Sequence, residues 1–139
     1  MLIRPYDSAD AEPLIALWRE AFGYQEPHND PRLSLERKLS VDSGLLLVAE
    51  RDAQLVGAGM AGYDGHRGWI YSLAVAEAAR GTGVGSALLR RLEELLIARG
   101  CVKINIQVRA ENEAVAAFYE RHGYTIEPRV SLGKIVYRG

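Results

Sequence analysis

Cys101 is the sole cysteine of this chain, so no internal disulfide can form and the fold must rest on its core. That usage fits a reducing cytoplasm. Charge of one sign is also missing: 17 Lys and Arg against 18 Asp and Glu leave a net charge of -1 at pH 7. A chain so balanced has no overall basic field to gather nucleic acid, and none is expected as a partner. Arg80, Arg90, Arg91 and Arg99 are close in sequence, which leaves a local basic patch open. The three histidines are scattered, without metal-ligand spacing, so no metal is expected. No apolar run approaches the roughly 18 residues of a membrane span. The start, MLIRPYDSAD, lacks the apolar stretch behind a positive end that marks a signal peptide. Neither an internal repeat nor a low-complexity linker is visible. A cytoplasmic protein without a membrane partner is the expectation.

What is there suits one globular domain spanning residues 1–139, with 48% hydrophobic and 25% charged residues. Leu2–Tyr6 reads as an edge strand. Asp7 or Ser8 can cap a helix whose apolar residues Leu14, Leu17, Trp18, Ala21 and Phe22 recur at helical spacing. A polar loop, Gly23–Pro31, leads to a second helix over Leu33–Val41. Leu45–Glu50, Leu55–Tyr63 and Trp69–Val75 read as strands, the last two joined by an Asp-Gly turn. A long amphipathic helix then carries Val84, Leu88, Leu92, Leu95 and Leu96, with Gly100 at its end. Cys101–Val108 reads as a strand and Asn112–Gly123 as a helix with its stop. Tyr124–Pro128 and Ser131–Arg138 are expected as two final strands. The long helix between two strands demands a parallel pair. The expected class is α/β (α+β), with a mixed sheet of six to seven strands and about four helices.

The stretch RGTGVGS, Arg80 to Ser86, lies between a strand and a helix. Glycines there let a backbone approach an anion, and a helix's first-turn amides with its dipole supply positive potential. Three anions compete. A P-loop ends in Gly-Lys-Ser/Thr, but here Gly85 is followed by Ser86 and Ala87, which disfavours ATP. A dinucleotide fingerprint needs a third glycine where Ser86 stands and an acid at the end of the next strand, where NIQVR has none. The third pattern is Arg-x-x-Gly-x-Gly, met by Arg80, Gly83 and Gly85.

With that loop, the upstream LAV strand (Leu73–Val75) and the downstream NEAVAAFY helix (Asn112–Tyr119) followed by RHGY, the chain resembles the GNAT superfamily of acetyl-CoA-dependent N-acetyltransferases. The resemblance runs over essentially the whole order of elements. The segments NDP, ERK, GYDGHRG, LIARGC and KINI further resemble the YpeA group within it.

The resemblance implies acetyl-CoA as co-substrate, held where two central parallel strands splay apart. It places the pantetheine arm along the backbone of Leu73 to Val75. The pyrophosphate falls on the amides of Gly81, Gly83, Val84, Gly85 and Ser86, beside Arg80. Asn112 falls near the pantetheine, though an asparagine there also caps a helix. Tyr119 becomes the general acid for the departing CoA thiolate, a role a phenol can fill; by spacing alone it is a core aromatic. The Leu73 N–H is the expected oxyanion donor. The base is open, since WIYSLAV holds no carboxylate where some members carry a glutamate. Tyr71 could order a water instead. Asp30, Glu36, Asp64 and His66 are acceptor-site candidates, though each reads first as a turn residue or surface charge. The expected activity is direct acetyl transfer to a primary amine, on a small molecule, a peptide N-terminus or a lysine. The alternatives are a non-catalytic CoA-binding regulatory module and a nucleotide-binding domain. A homodimer is compatible with the sequence but not derivable from it.

Overall fold

The computed structural model describes residues 1–23 and 27–136. The chain divides into two compact units, Met1–Ile106 and Gln107–Gly139.

Among the described residues the sheet lies in the first unit, five strands in the order β1-β2-β3-β4-β5. They are β1 (Leu2–Pro5), β2 (Leu46–Arg51), β3 (Gln54–Tyr63), β4 (Gly68–Val75) and β5 (Ile104–Ile106). The first four pair antiparallel and β4 pairs β5 in parallel. Three helices join them: α1 (Ala11–Phe22), α2 (Pro31–Val41) and α3 (Val84–Ala98). Each begins where local chemistry allows. Asp7 accepts from the Ala9 amide in a 3-10 turn ahead of α1. Asp30 accepts from the Leu33 amide, with Pro31 in the first turn of α2, so α2 starts two residues before Leu33.

One face of the sheet is covered by α1 and α2. Leu14, Ile15, Leu17 and Trp18 of α1 and Leu35 of α2 pack with Leu46, Val48, Ala58 and Ala74 in a single buried cluster. The other face receives α3, whose Leu88, Leu92 and Leu96 recur every four residues and are all fully buried. Close approach is possible because β3 and β4 present glycines there. A Cβ on Gly57 would stand 2.8 Å from Val84 Cγ1 and 3.0 Å from Leu88 Cδ1, and one on Gly68 would stand 2.7 Å from Cys101 Sγ. The Gly-rich LVGAGMAGY stretch is therefore a seat for a helix. Cys101 is buried against Gly68.

On the face covered by α1 and α2, Lys38 ties the helix layer to the sheet. Its half-buried Nζ donates to the Ala61 carbonyl of β3, and burial pushes the ammonium down from its ordinary value.

The second unit, taken by itself, contains α4 (Glu113–Arg121), which stops at Gly123 with φ +91°. The sheet has one to two strands fewer than expected. Of Cys101–Val108 only Ile104–Ile106 forms ladder pairs. Tyr124–Pro128 and the described part of Ser131–Arg138, to residue 136, form none. Ile126 of the first and Leu132, Ile135 and Val136 of the second are apolar as strand residues would be, yet all four are exposed. Such a pattern records suitability for a pleated surface, whereas a strand also needs a partner backbone, and that is not a local property. Residues 137–138 of the expected last strand lie outside the described residues.

The class α/β (α+β) with a mixed sheet and four α-helices holds. Among the described residues no helix is long and apolar enough to cross a membrane.

Candidate active site

The central feature is a strand edge that opens. The parallel pair β4–β5 is in register only over Gly68–Ile104, Trp69–Asn105 and Ile70–Ile106. Beyond Ile70, β4 runs on to Val75 while β5 has ended. Tyr71 to Val75 thus keeps β3 on one side and no ladder partner from β5 on the other. This is the splay expected at Leu73–Val75, formed by the early end of β5.

Across β3 the same stretch is distorted. Met60 pairs with Tyr71 and Ala58 with Ala74, so Ser72 and Leu73 together oppose Gly59. Two residues against one is a β-bulge, a device that re-aims backbone groups. Ser72 bears φ +49°.

From Val75 the chain makes a 3-10 turn, Glu77–Ala79, and enters the glycine loop. Gly81 and Gly83 have φ +77° and +90°, and a Cβ on either would meet nothing within 4 Å. The left-handed backbone, rather than crowding, requires glycine there. Gly83 caps α3 without a side chain, and no acid stands in the first turn. The first intrahelical bond runs from Ala87 N to Gly83 O, 3.1 Å. The Val84 and Gly85 amides therefore sit ahead of the helical ladder, where an anion is favoured, with Ser86 in the same turn. Arg80 is exposed, and its Nε donates to the Val75 carbonyl at 3.1 Å, tying the loop's cation to the end of β4.

A second guanidinium reaches the loop from far along the chain. Arg51, at the end of β2, donates through Nη1 to Thr82 Oγ1 at 3.1 Å, and Thr82 Oγ1 donates to the Ala79 carbonyl at 2.5 Å. Sequence reasoning missed Arg51, because nothing local in RDAQ marks it. Asp52 and Ala53 both have positive φ, so a tight hairpin delivers Arg51 to its place.

On the α1 and α2 face, Tyr71 is part-exposed beside Gly62, whose Cβ would lie 3.4 Å from Tyr71 Cε2. Burial and then the charge of Asp64 push its phenol up. Asp64 itself makes the hairpin turn: its Oδ1 accepts from the His66 and Arg67 amides at 2.7 and 2.8 Å. Those bonds hold its carboxyl below the ordinary range. His66 is exposed in the same hairpin, so Asp64, His66 and Tyr71 belong to one end of the β3–β4 ribbon. Asp30 and Glu36 belong to α2, the first as its cap, 3.8 Å from Arg19 Nη2, the second on its exposed side. Among the described residues no three His, Cys, Asp or Glu side chains gather as metal ligands would.

In the second unit, Asn112 Oδ1 accepts from the Val115 amide at 3.2 Å and so caps α4. Tyr119 is buried, with its ring edge-on to Phe118 at 5.1 Å and to Tyr124 at 5.7 Å. Burial pushes its phenol up to about 12.

A mixed sheet with a splayed parallel pair, leading into a glycine loop at a helix N-terminus, defines the fold class of acyl-CoA-dependent transferases expected above. The Acetyltransferase (GNAT) family model matches residues 11–124. The acetyltransferase YE1169 of Yersinia enterocolitica is 48% identical over 134 residues, covering 96% of this chain and 94% of its own. Among solved structures, the ribosomal-protein-alanine N-acetyltransferase of Brucella melitensis is 28% identical with a TM-score of 0.72, over 88% of this chain and 83% of that one. AAC(6')-Iy in complex with the bisubstrate analog CoA-S-monomethyl-acetylneamine shares the fold at 18% identity and a TM-score of 0.78, over 96% and 97% of the two chains. The chain belongs to the GNAT acetyltransferase family and is an acyltransferase.

Proposed function

We propose that residues 1–139 work as one N-acetyltransferase domain that moves acetyl from acetyl-CoA directly to a primary amine. The observation that carries this reading is the open edge of β4 from Tyr71 to Val75 running straight into the glycine loop. An extended amide chain can add to such an edge as a short strand, and a pyrophosphate suits an uncapped helix N-terminus. The residues present fit acetyl-CoA: main-chain groups of Leu73 and Val75 for pantetheine, and Gly81, Gly83, Val84, Gly85, Ser86 and Arg80 for the phosphates. Asn112 is proposed at the pantetheine beside its capping role. The family model's span of 11–124, across both units, supports one working domain.

The amine nitrogen attacks the thioester carbonyl carbon, negative charge gathers on its oxygen, and the C–S bond breaks to give amide and CoA thiolate. The Leu73 amide is the proposed donor to that oxygen. Tyr119 is the proposed proton donor to sulfur. With its phenol raised to about 12 it stays protonated throughout the neutral range. The amine must shed a proton first, and Tyr71, with Asp64 and His66 at the same hairpin, forms the proposed polar exit. Asp30 and Glu36 are proposed for the acceptor rim, where carboxylates suit a cationic amine. The resemblance to the YpeA group supports no particular acceptor.

The test is CoA release with a panel of small amines, peptide N-termini and lysine peptides. Tyr119→Phe is expected to lower kcat on the order of a hundredfold or more while leaving acetyl-CoA affinity little changed. Parallel loss of folding and activity would assign Tyr119 to packing alone.

A further inference from the structure

Trp18 has no part in the chemistry proposed above, yet it touches the strand at the centre of it. Its side chain on α1 is fully buried. Its indole Nε1–H donates to the Ser72 carbonyl at 2.9 Å. Ser72 is the residue of β4 whose φ of +49° lies in the left-handed region that a serine seldom occupies. Room for that distortion comes from β3: a Cβ on Gly59 would stand 2.8 Å from Leu73 Cδ1 and 3.2 Å from Leu92 Cδ1. A helix, a glycine and a bulge therefore hold one peptide unit between them.

That peptide is trans and planar, so its C=O and N–H point to opposite sides. A Ser72 carbonyl held by α1 fixes the plane of that peptide and, with it, the direction of the Leu73 N–H. We infer that Trp18 is a positioning residue for acetyl transfer: by holding the Ser72 carbonyl it aims the Leu73 amide at the thioester oxygen. The inference rests on the proposed role of the Leu73 amide. It assigns the strain at Ser72 a purpose, since a bulge alone permits several peptide orientations and the indole selects one.

The test needs no acceptor amine. Acetyl-CoA carrying 13C at its thioester carbonyl is bound to the full chain and read by isotope-edited infrared difference spectroscopy. The wild-type protein is expected to lower the carbonyl stretch relative to free acetyl-CoA. Trp18→Phe should return it toward the free value, with acetyl-CoA affinity little changed. Once an acceptor is known, kcat should fall on the order of tenfold to a hundredfold without a matching rise in KM for acetyl-CoA. Replacing Trp18 by β-(3-benzothienyl)alanine keeps the bicyclic volume and lacks the N–H, which separates the lost bond from lost packing if Trp18→Phe folds poorly. A stretch still lowered to the wild-type value in both variants overturns the inference for Trp18 alone. A wild-type complex with an unshifted stretch overturns the Leu73 role and the inference together, leaving acetyl-CoA binding intact. Failure of the wild-type protein to bind acetyl-CoA overturns the proposed function itself.

Discussion

At the residue scale, the ion pair of Arg4 and Asp10 shows how a charge near the core is made tolerable. Asp10 accepts from Arg4 Nη1 and Nη2 at 2.8 and 2.9 Å and from the Asp7 amide at 2.8 Å, with its side chain 10% exposed. The guanidinium bonds, foremost, hold its carboxyl below the ordinary value. A carboxyl lowered in the folded state stabilises above its unfolded pKa, and that stability is lost as pH falls through the folded value. Asp10→Asn is expected to cost about 2 kcal/mol at pH 7, with the gap from the wild type closing as pH drops below about 4. Urea midpoints at pH 7 and pH 3 measure both. None of this pairing is marked in LIRPYDSAD, where Asp10 reads as one of several polar residues.

At the element scale, α3 is the part on which the proposed site depends, because its first turn is the proposed phosphate end and its Leu row is the sheet contact. Both meet at Gly57, which faces Val84 and Leu88. Gly57→Ala is expected to destabilise by about 1–3 kcal/mol through overpacking, and to weaken acetyl-CoA binding by shifting the helix start. A denaturation series paired with direct binding by calorimetry reads the two effects. Helical spacing made α1, α3 and α4 legible from their apolar stripes, and Asp-Gly marked the β3–β4 turn. The final strands were misjudged for the opposite reason. Leu132 and Val136 fit a strand pattern, but a ladder depends on which backbone lies alongside. The strand expected over Cys101–Val108 exists but is shorter, Ile104–Ile106, for the same reason, and its early end at Ile106 is what leaves β4 open.

At the scale of the whole molecule, the proposed ligand is the decisive variable. Acetyl-CoA at 100 times its Kd is expected to stabilise the chain by roughly 2.7 kcal/mol, on the order of 8 °C in Tm. NAD and ATP at equal concentration should give no comparable shift. Stabilisation by either of those, without acetyl-CoA, would return the glycine loop to the readings that Ser86 and the missing lysine argued against.

By itself the sequence determined what short-range chemistry can encode. Gly81 and Gly83 supply the left-handed turn, Asn112 the cap of α4, and the Arg80–Ser86 loop with LAV and NEAVAAFY the resemblance to the family. Only tertiary structure decided how distant residues meet. It brought Trp18 to Ser72, Arg51 to Thr82 and Lys38 to Ala61, pairs 54, 31 and 23 residues apart. Those contacts follow from strand register and helix packing, in which one bulge at Ser72 and Leu73 turns a peptide plane that no local pattern announces.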